Sequence, residues 1–116
     1  MPLKINSINQ EIGLNRGAEN VNAGIFLHRK LSGLQKAQQT NIRTHVLLDG
    51  RIRYYNTERP ATFPGPTRGG GYVTEWDPKT AGVRSWYECR NHFGDINLIH
   101  PKQYNGQNIN APHYPQ

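Results

Sequence analysis

Tyr72-Val73-Thr74-Glu75-Trp76, then Asp77-Pro78-Lys79-Thr80-Ala81-Gly82, then Val83-Arg84-Ser85-Trp86-Tyr87-Glu88-Cys89-Arg90 is the stretch on which the fold turns. Aromatic and β-branched residues on both sides of a connection marked by Pro and Gly spell a β-hairpin. Side chains alternate along a strand, so Arg84, Trp86, Glu88 and Arg90 share one face and Val83, Ser85, Tyr87 and Cys89 the other. The first set reads as a working surface and the second as a core.

Upstream, Thr44 to Leu48 and Arg51 to Tyr55 flank Asp49-Gly50, a pair that takes the positive φ angles of a two-residue hairpin turn. Arg51, Arg53 and Tyr55 then share a face. Downstream, a turn at Asn91 to Asp95 leads to a strand at Ile96 to His100, closing an antiparallel meander. His100 and Lys102 reach a polar site only if that strand ends or kinks near Pro101.

Between Ala23 and Gln39 the residues Leu27, Leu31, Leu34 and Gln38 recur at helical spacing, an amphipathic helix weakened by Gly24 and Gly33. Thr57 to Gly71 holds Pro60, Pro64, Pro66, Gly65, Gly69, Gly70 and Gly71 and reads as a long surface loop through which no ladder runs. Residues 1–22 read as a lead-in, and Asn105 to Gln116 as a polar surface tail. The expected fold is therefore α+β: one domain over 23–116, a helix packed on a four-stranded antiparallel sheet, with the other sheet face free to bind.

The chain has 116 residues and a formal net charge of +6. Its pI is near 9.8 and its mean hydropathy is -0.81. This is room for one modest core, with an electrostatic footprint that suits a phosphate-rich partner, although small basic proteins without such a partner are common. The lone Cys89 permits no intrachain disulfide and no Cys-rich zinc site. Neither a signal peptide nor an apolar run of membrane-spanning length is visible, so action on another cell requires a carrier.

RNA cleavage without a metal needs a base for the 2′-OH proton, an acid for the leaving 5′-oxygen and a cation for the phosphorane. His92, His100 and Lys102, with Arg84 and Glu88 on the sheet, are the residue types that meet this list. Each also has a bland reading: His92 as a turn residue, His100 as a loop hydrogen-bonder, Lys102 as a solvated phosphate contact. His113 near the terminus is a weaker candidate, and His28 and His45 weaker still. The spacing of His92 and His100 fits no zinc motif, so no metal and no cofactor are expected. Arg51, Arg53, Arg68 and Arg90, interleaved with Tyr55 and Trp86, suit RNA whose unstacked bases meet rings and guanidiniums, though such rings also serve as sheet core. Gly69-Gly70-Gly71 lacks the Lys-Ser/Thr of a phosphate loop and reads as flexible backbone letting Arg68 approach a phosphate.

Arg51-Ile52-Arg53-Tyr54-Tyr55, Glu58-Arg59-Pro60-Ala61, Gly65-Pro66-Thr67-Arg68-Gly69, Val73-Thr74-Glu75, Val83-Arg84-Ser85-Trp86 and His100-Pro101-Lys102 together resemble C-terminal toxin domains of Rhs and contact-dependent-inhibition proteins. The layout is also similar to the barnase/EndoU/colicin/RelE group of ribonucleases. Where the toxin texture has Asp-His-Ser-Gly, this chain has Asn91-His92-Phe93-Gly94, which keeps the histidine and loses the aspartate. The resemblance implies a ribonuclease toxin acting on tRNA or rRNA in the target-cell cytoplasm, a larger secreted or surface carrier, and a cognate immunity protein covering the basic face. A DNase or other toxin activity on the same scaffold, and a non-enzymatic nucleic-acid-binding module, are the competing expectations.

Overall fold

The computed structural model describes residues 18–109, with side chains from residue 23 onward. Among the described residues, one helix, α1 (Ala18–Thr40), precedes seven strands. These are β1 (Arg43–Val46), β2 (Ile52–Tyr55), β3 (Arg59–Pro60), β4 (Thr67–Asp77), β5 (Gly82–Asn91), β6 (Ile96–Tyr104) and β7 (Gln107–Asn108). All pairings are antiparallel, in the order β1-β2-β4-β5-β6-β7, with β3 on β4 beside β2. The class is α+β, as expected, but the sheet has more than the four strands read from the sequence. No described helix is long and apolar enough to cross a membrane.

The helix begins at Ala18 rather than Ala23 and turns Leu34 and Ala37 to the sheet. They meet Tyr54 and Val83, with Ile52 and Trp76 packed alongside, and this is the main core. Gln38 stays at the surface and donates a hydrogen bond to the Tyr54 hydroxyl (3.1 Å). The helix closes on Asn41, whose backbone and side-chain nitrogens both donate to the Ala37 carbonyl at 3.0 Å, satisfying an end carbonyl that no further turn can reach.

The largest departure from expectation lies in the Pro- and Gly-rich segment. A ladder does run through the glycines: Gly69 and Gly70 pair with β3 on one side and with β5 on the other. Thr57, Glu58 and Ala61 to Pro66 are left outside a strand. The glycines are needed because of how closely neighbours approach. A Cβ at Gly69 would run into the Arg59 carbonyl, and one at Gly70 into the Tyr87 ring. Breaker composition therefore marks tight packing here, a known use of strand glycine.

The first hairpin also differs. Its turn has three residues, Leu48 to Gly50, closed by a bond from the Leu47 N–H to the Arg51 carbonyl (2.8 Å), with Gly50 at φ 94°. Beyond β6 a further hairpin turns on Asn105 (φ 49°) and Gly106 (φ 83°), the two positive φ angles of a type I′ turn, so the expected tail begins with β7. Gly106 is buried against α1, and a methyl there would collide with the Phe26 carbonyl. Gly106→Ala is accordingly expected to cost about 2 kcal/mol through a strained turn and an overpacked helix contact, read as a lower denaturant midpoint.

Candidate nucleic-acid interface

Cross-strand registers put Arg43, Arg51, Arg53, Tyr55, Val73, Glu75, Arg84, Trp86, Glu88 and Arg90 on the sheet face away from α1. Position within this face follows from strand alternation. What each side chain does there follows from two carboxylates.

Glu75, 3% exposed in the middle of β4, is the anchor. It accepts hydrogen bonds from Arg51 (3.1 Å), Arg53 (2.8 Å) and Arg84 (2.9 Å). Burial pushes its carboxyl up, but the hydrogen bonds from Arg84 and Arg53 and the charges of Arg84 and Arg51 outweigh that and hold it below the usual carboxylate range. Three guanidiniums around one anion leave a positive surplus, fixed in place before any ligand arrives. Arg53 and Arg84 also lie over Trp86, at 5.2 and 5.4 Å from its ring centroid. Trp86 is 4% exposed, so it supports the guanidiniums and offers no open ring to a base. Arg43 covers the Tyr55 ring at 4.1 Å, which leaves Tyr55 half-buried.

Glu88, 6% exposed on β5, is the second anchor. It accepts from the Trp86 indole N–H (2.9 Å) and from Arg90 (2.8 Å), while Arg90 also donates to the Gly94 carbonyl. Beside it, Arg68 forms a two-bond pair with Glu58 at 2.9 and 2.7 Å. That pairing holds the Glu58 carboxyl below its ordinary range, with the charges of Arg68 and Arg90 acting in the same sense. Arg43, Tyr55, Glu58, Arg68, Glu88 and Arg90 all line one hollow of about 340 Å³, whose wall continues onto Gly71 and Gly94. Across the whole face, six arginines stand against Asp49, Glu58, Glu75 and Glu88, so the net charge is positive.

His100 and Lys102 do not join them there, and His92 stands beside the hollow in the turn that carries Gly94. His100 pairs across the ladder with Tyr87, which places it on the helix side of the sheet, opposite the face that carries Arg84 and Glu88. Strand β6 does not end at Pro101. It continues through a register shift that inserts Lys102, and Pro101 is buried opposite Trp86 because a proline needs no ladder donor at such an irregularity. Lys102 is exposed at this bulge. His92 stands in the turn after β5, with Nε2 2.8 Å from the Gly65 carbonyl. His113 lies outside the described residues.

The structure thus unites Arg51, Arg53, Arg84 and Trp86 around Glu75, and Arg68, Arg90, Glu88 and Tyr55 around the hollow. It separates His100 and Lys102 from both. Glu75, Glu58 and Arg43 were absent from the sequence-derived candidates. For Glu75 a signal existed: an acid between Thr74 and Trp76 in a strand core requires cations, and the facing strands supply arginines at matching parity. Among the described residues, no three His, Cys, Asp or Glu side chains lie together as a metal site. In comparisons with known proteins, no family model, no curated protein and no solved structure matches the chain.

Proposed function

We propose that the chain is a metal-independent ribonuclease domain of toxin type, which lays RNA along the arginine face and cleaves it at the hollow beside Glu88. The carrying observation is the arrangement of Arg43, Arg68 and Arg90 around Glu58 and Glu88 in one concave site. A net positive hollow next to an arginine surface attracts a phosphodiester, and fixed guanidiniums stabilise a phosphorane without reorganising at the moment of reaction.

Glu88 is the base in this reading. It sits on a central strand, where the indole of Trp86 and the guanidinium of Arg90 fix its orientation. It takes the 2′-OH proton as the 2′-oxygen attacks phosphorus and the bond to the 5′-oxygen breaks, leaving a 2′,3′-cyclic phosphate. Arg90 and Arg68 hold the non-bridging oxygens; Arg68 exchanges its exposed partner Glu58 for the phosphate, a cheap exchange because surface ion pairs contribute little. His92 is the acid for the leaving oxygen. Its turn places Gly94 on the wall of the hollow, and it acts after releasing the Gly65 carbonyl. His100 and Lys102 take no part in the chemistry. A cytoplasmic RNA target, a carrier and an acidic immunity protein that covers the same face complete the proposal.

The test is to incubate the purified chain with total bacterial RNA in EDTA and resolve the products on a gel. Discrete fragments ending in 2′,3′-cyclic phosphate are expected. Cleavage of DNA that EDTA abolishes would move the activity to a metal-dependent nuclease. Salt-sensitive RNA binding with no fragments would leave a binding module.

A further inference from the structure

On the other side of the sheet, between α1 and strands β3 to β5, runs a groove of about 690 Å³ that the ribonuclease reading does not use. Its lining includes Lys36, Arg59, Tyr72, Thr74, Ser85 and Tyr87, and no carboxylate. The Lys36 ammonium and the Arg59 guanidinium form no ion pair among the described residues, in contrast to Arg51, Arg53, Arg68, Arg84 and Arg90 on the far face. Thr74 is 4% exposed, and its hydroxyl makes no hydrogen bond within the described residues. Buried hydroxyls are nearly always satisfied, so an unsatisfied one on the wall of a groove points to a ligand. The Tyr72 and Ser85 hydroxyls, 2.7 Å apart, lie on the neighbouring wall.

We infer that this groove binds a phosphomonoester of nucleotide size. Its volume falls in the range of about 300–1,000 Å³ that holds small ligands. A phosphomonoester carries about -1.5 to -2 charges at neutral pH, which matches the two cations of Lys36 and Arg59. Tyr72 and Tyr87, neighbours on facing strands, give an aromatic base apolar surface to lie against, and the Thr74 hydroxyl meets a polar edge of the ligand. Gly70 lies under the Tyr87 ring, and Gly71 adds no side chain of its own to the lining. The phosphate arrives either on a free mononucleotide or on the phosphorylated end of an RNA.

Titration of the full chain with AMP, adenosine, inorganic phosphate and a 5′-phosphorylated tetranucleotide, followed by amide NMR shifts, tests this. AMP is expected to bind with shifts at Gly70, Gly71 and Thr74, and adenosine about tenfold more weakly or worse, the loss of a charge-assisted contact. Lys36→Ala and Arg59→Ala should each weaken AMP about tenfold, and Thr74→Val should weaken it without a change of charge. Lys79→Ala removes the same charge from the β4–β5 turn and should change nothing. Binding of the tetranucleotide but not AMP would support the same site with an RNA end as its source. Shifts confined to the arginine face, AMP affinity indifferent to Lys36 and Arg59, or no binding of any probe would overturn the inference. Spectra of the unliganded variants verify folding, which is undemanding for exposed Lys36 and Arg59.

Discussion

Glu75→Gln is expected to lose about 3 kcal/mol of folding stability at neutral pH, a large part of what a domain of this size possesses. The substitution keeps the shape and removes the charge that gathers Arg51, Arg53 and Arg84. Breaking a buried ion pair by deleting one partner costs about 3–5 kcal/mol. The lower end applies because the three arginine side chains remain 27–35% exposed and water takes up part of the loss. The pH dependence has a definite sign. A carboxyl held below its ordinary value stabilises the fold fully above the unfolded pKa, about 4.3, and that contribution disappears as pH falls through the lower folded value. Denaturant titrations from neutral to acid should show the wild-type curve descending toward that of the variant. Parallel curves at all pH values would mean that the carboxylate does not organise the arginines.

How far the sequence carries this architecture depends on whether the deciding signal is local. The β4–β5 hairpin and the faces of β5 are legible because alternation is a property of neighbouring residues, and Arg84, Trp86, Glu88 and Arg90 do share a face. The ladder through Gly69 and Gly70 is hidden. The usual meaning of such glycines is a loop, and only the third dimension reveals the Arg59 carbonyl and the Tyr87 ring pressed against them. Asn105-Gly106 carries the dipeptide signature of a tight hairpin, masked by a polar sequence on its far side. His100 shows how a single inserted residue misleads a reading of parity. Counted from the β5–β6 turn, the register shift between Ile96 and Leu98 moves the histidine opposite Tyr87, on the core face of β5. The second shift, at Lys102, realigns only the end of β6. Charges fare differently. The arginines are visible as a cluster, but the buried partners that order them become evident only when strands from distant parts of the chain are in register.

Glu88→Gln is expected to reduce RNA cleavage by about 10²–10⁴-fold, the usual contribution of one positioned proton acceptor, while RNA affinity stays within a few-fold. Gln retains an oxygen for the Trp86 indole and so preserves the geometry that the hydrogen bond at 2.9 Å defines. It cannot accept the 2′-OH proton. Because Glu88 also balances Arg90, a melting curve of the variant is needed, and Trp86→Phe provides the second arm. Phe keeps the carboxylate and its pair with Arg90 but removes the donor that orients it. A base that depends on orientation should then lose rate with little change in binding. If both variants merely melt earlier and cleave normally once folded, Glu88 is a strut of the arginine face, and the base of the reaction lies elsewhere.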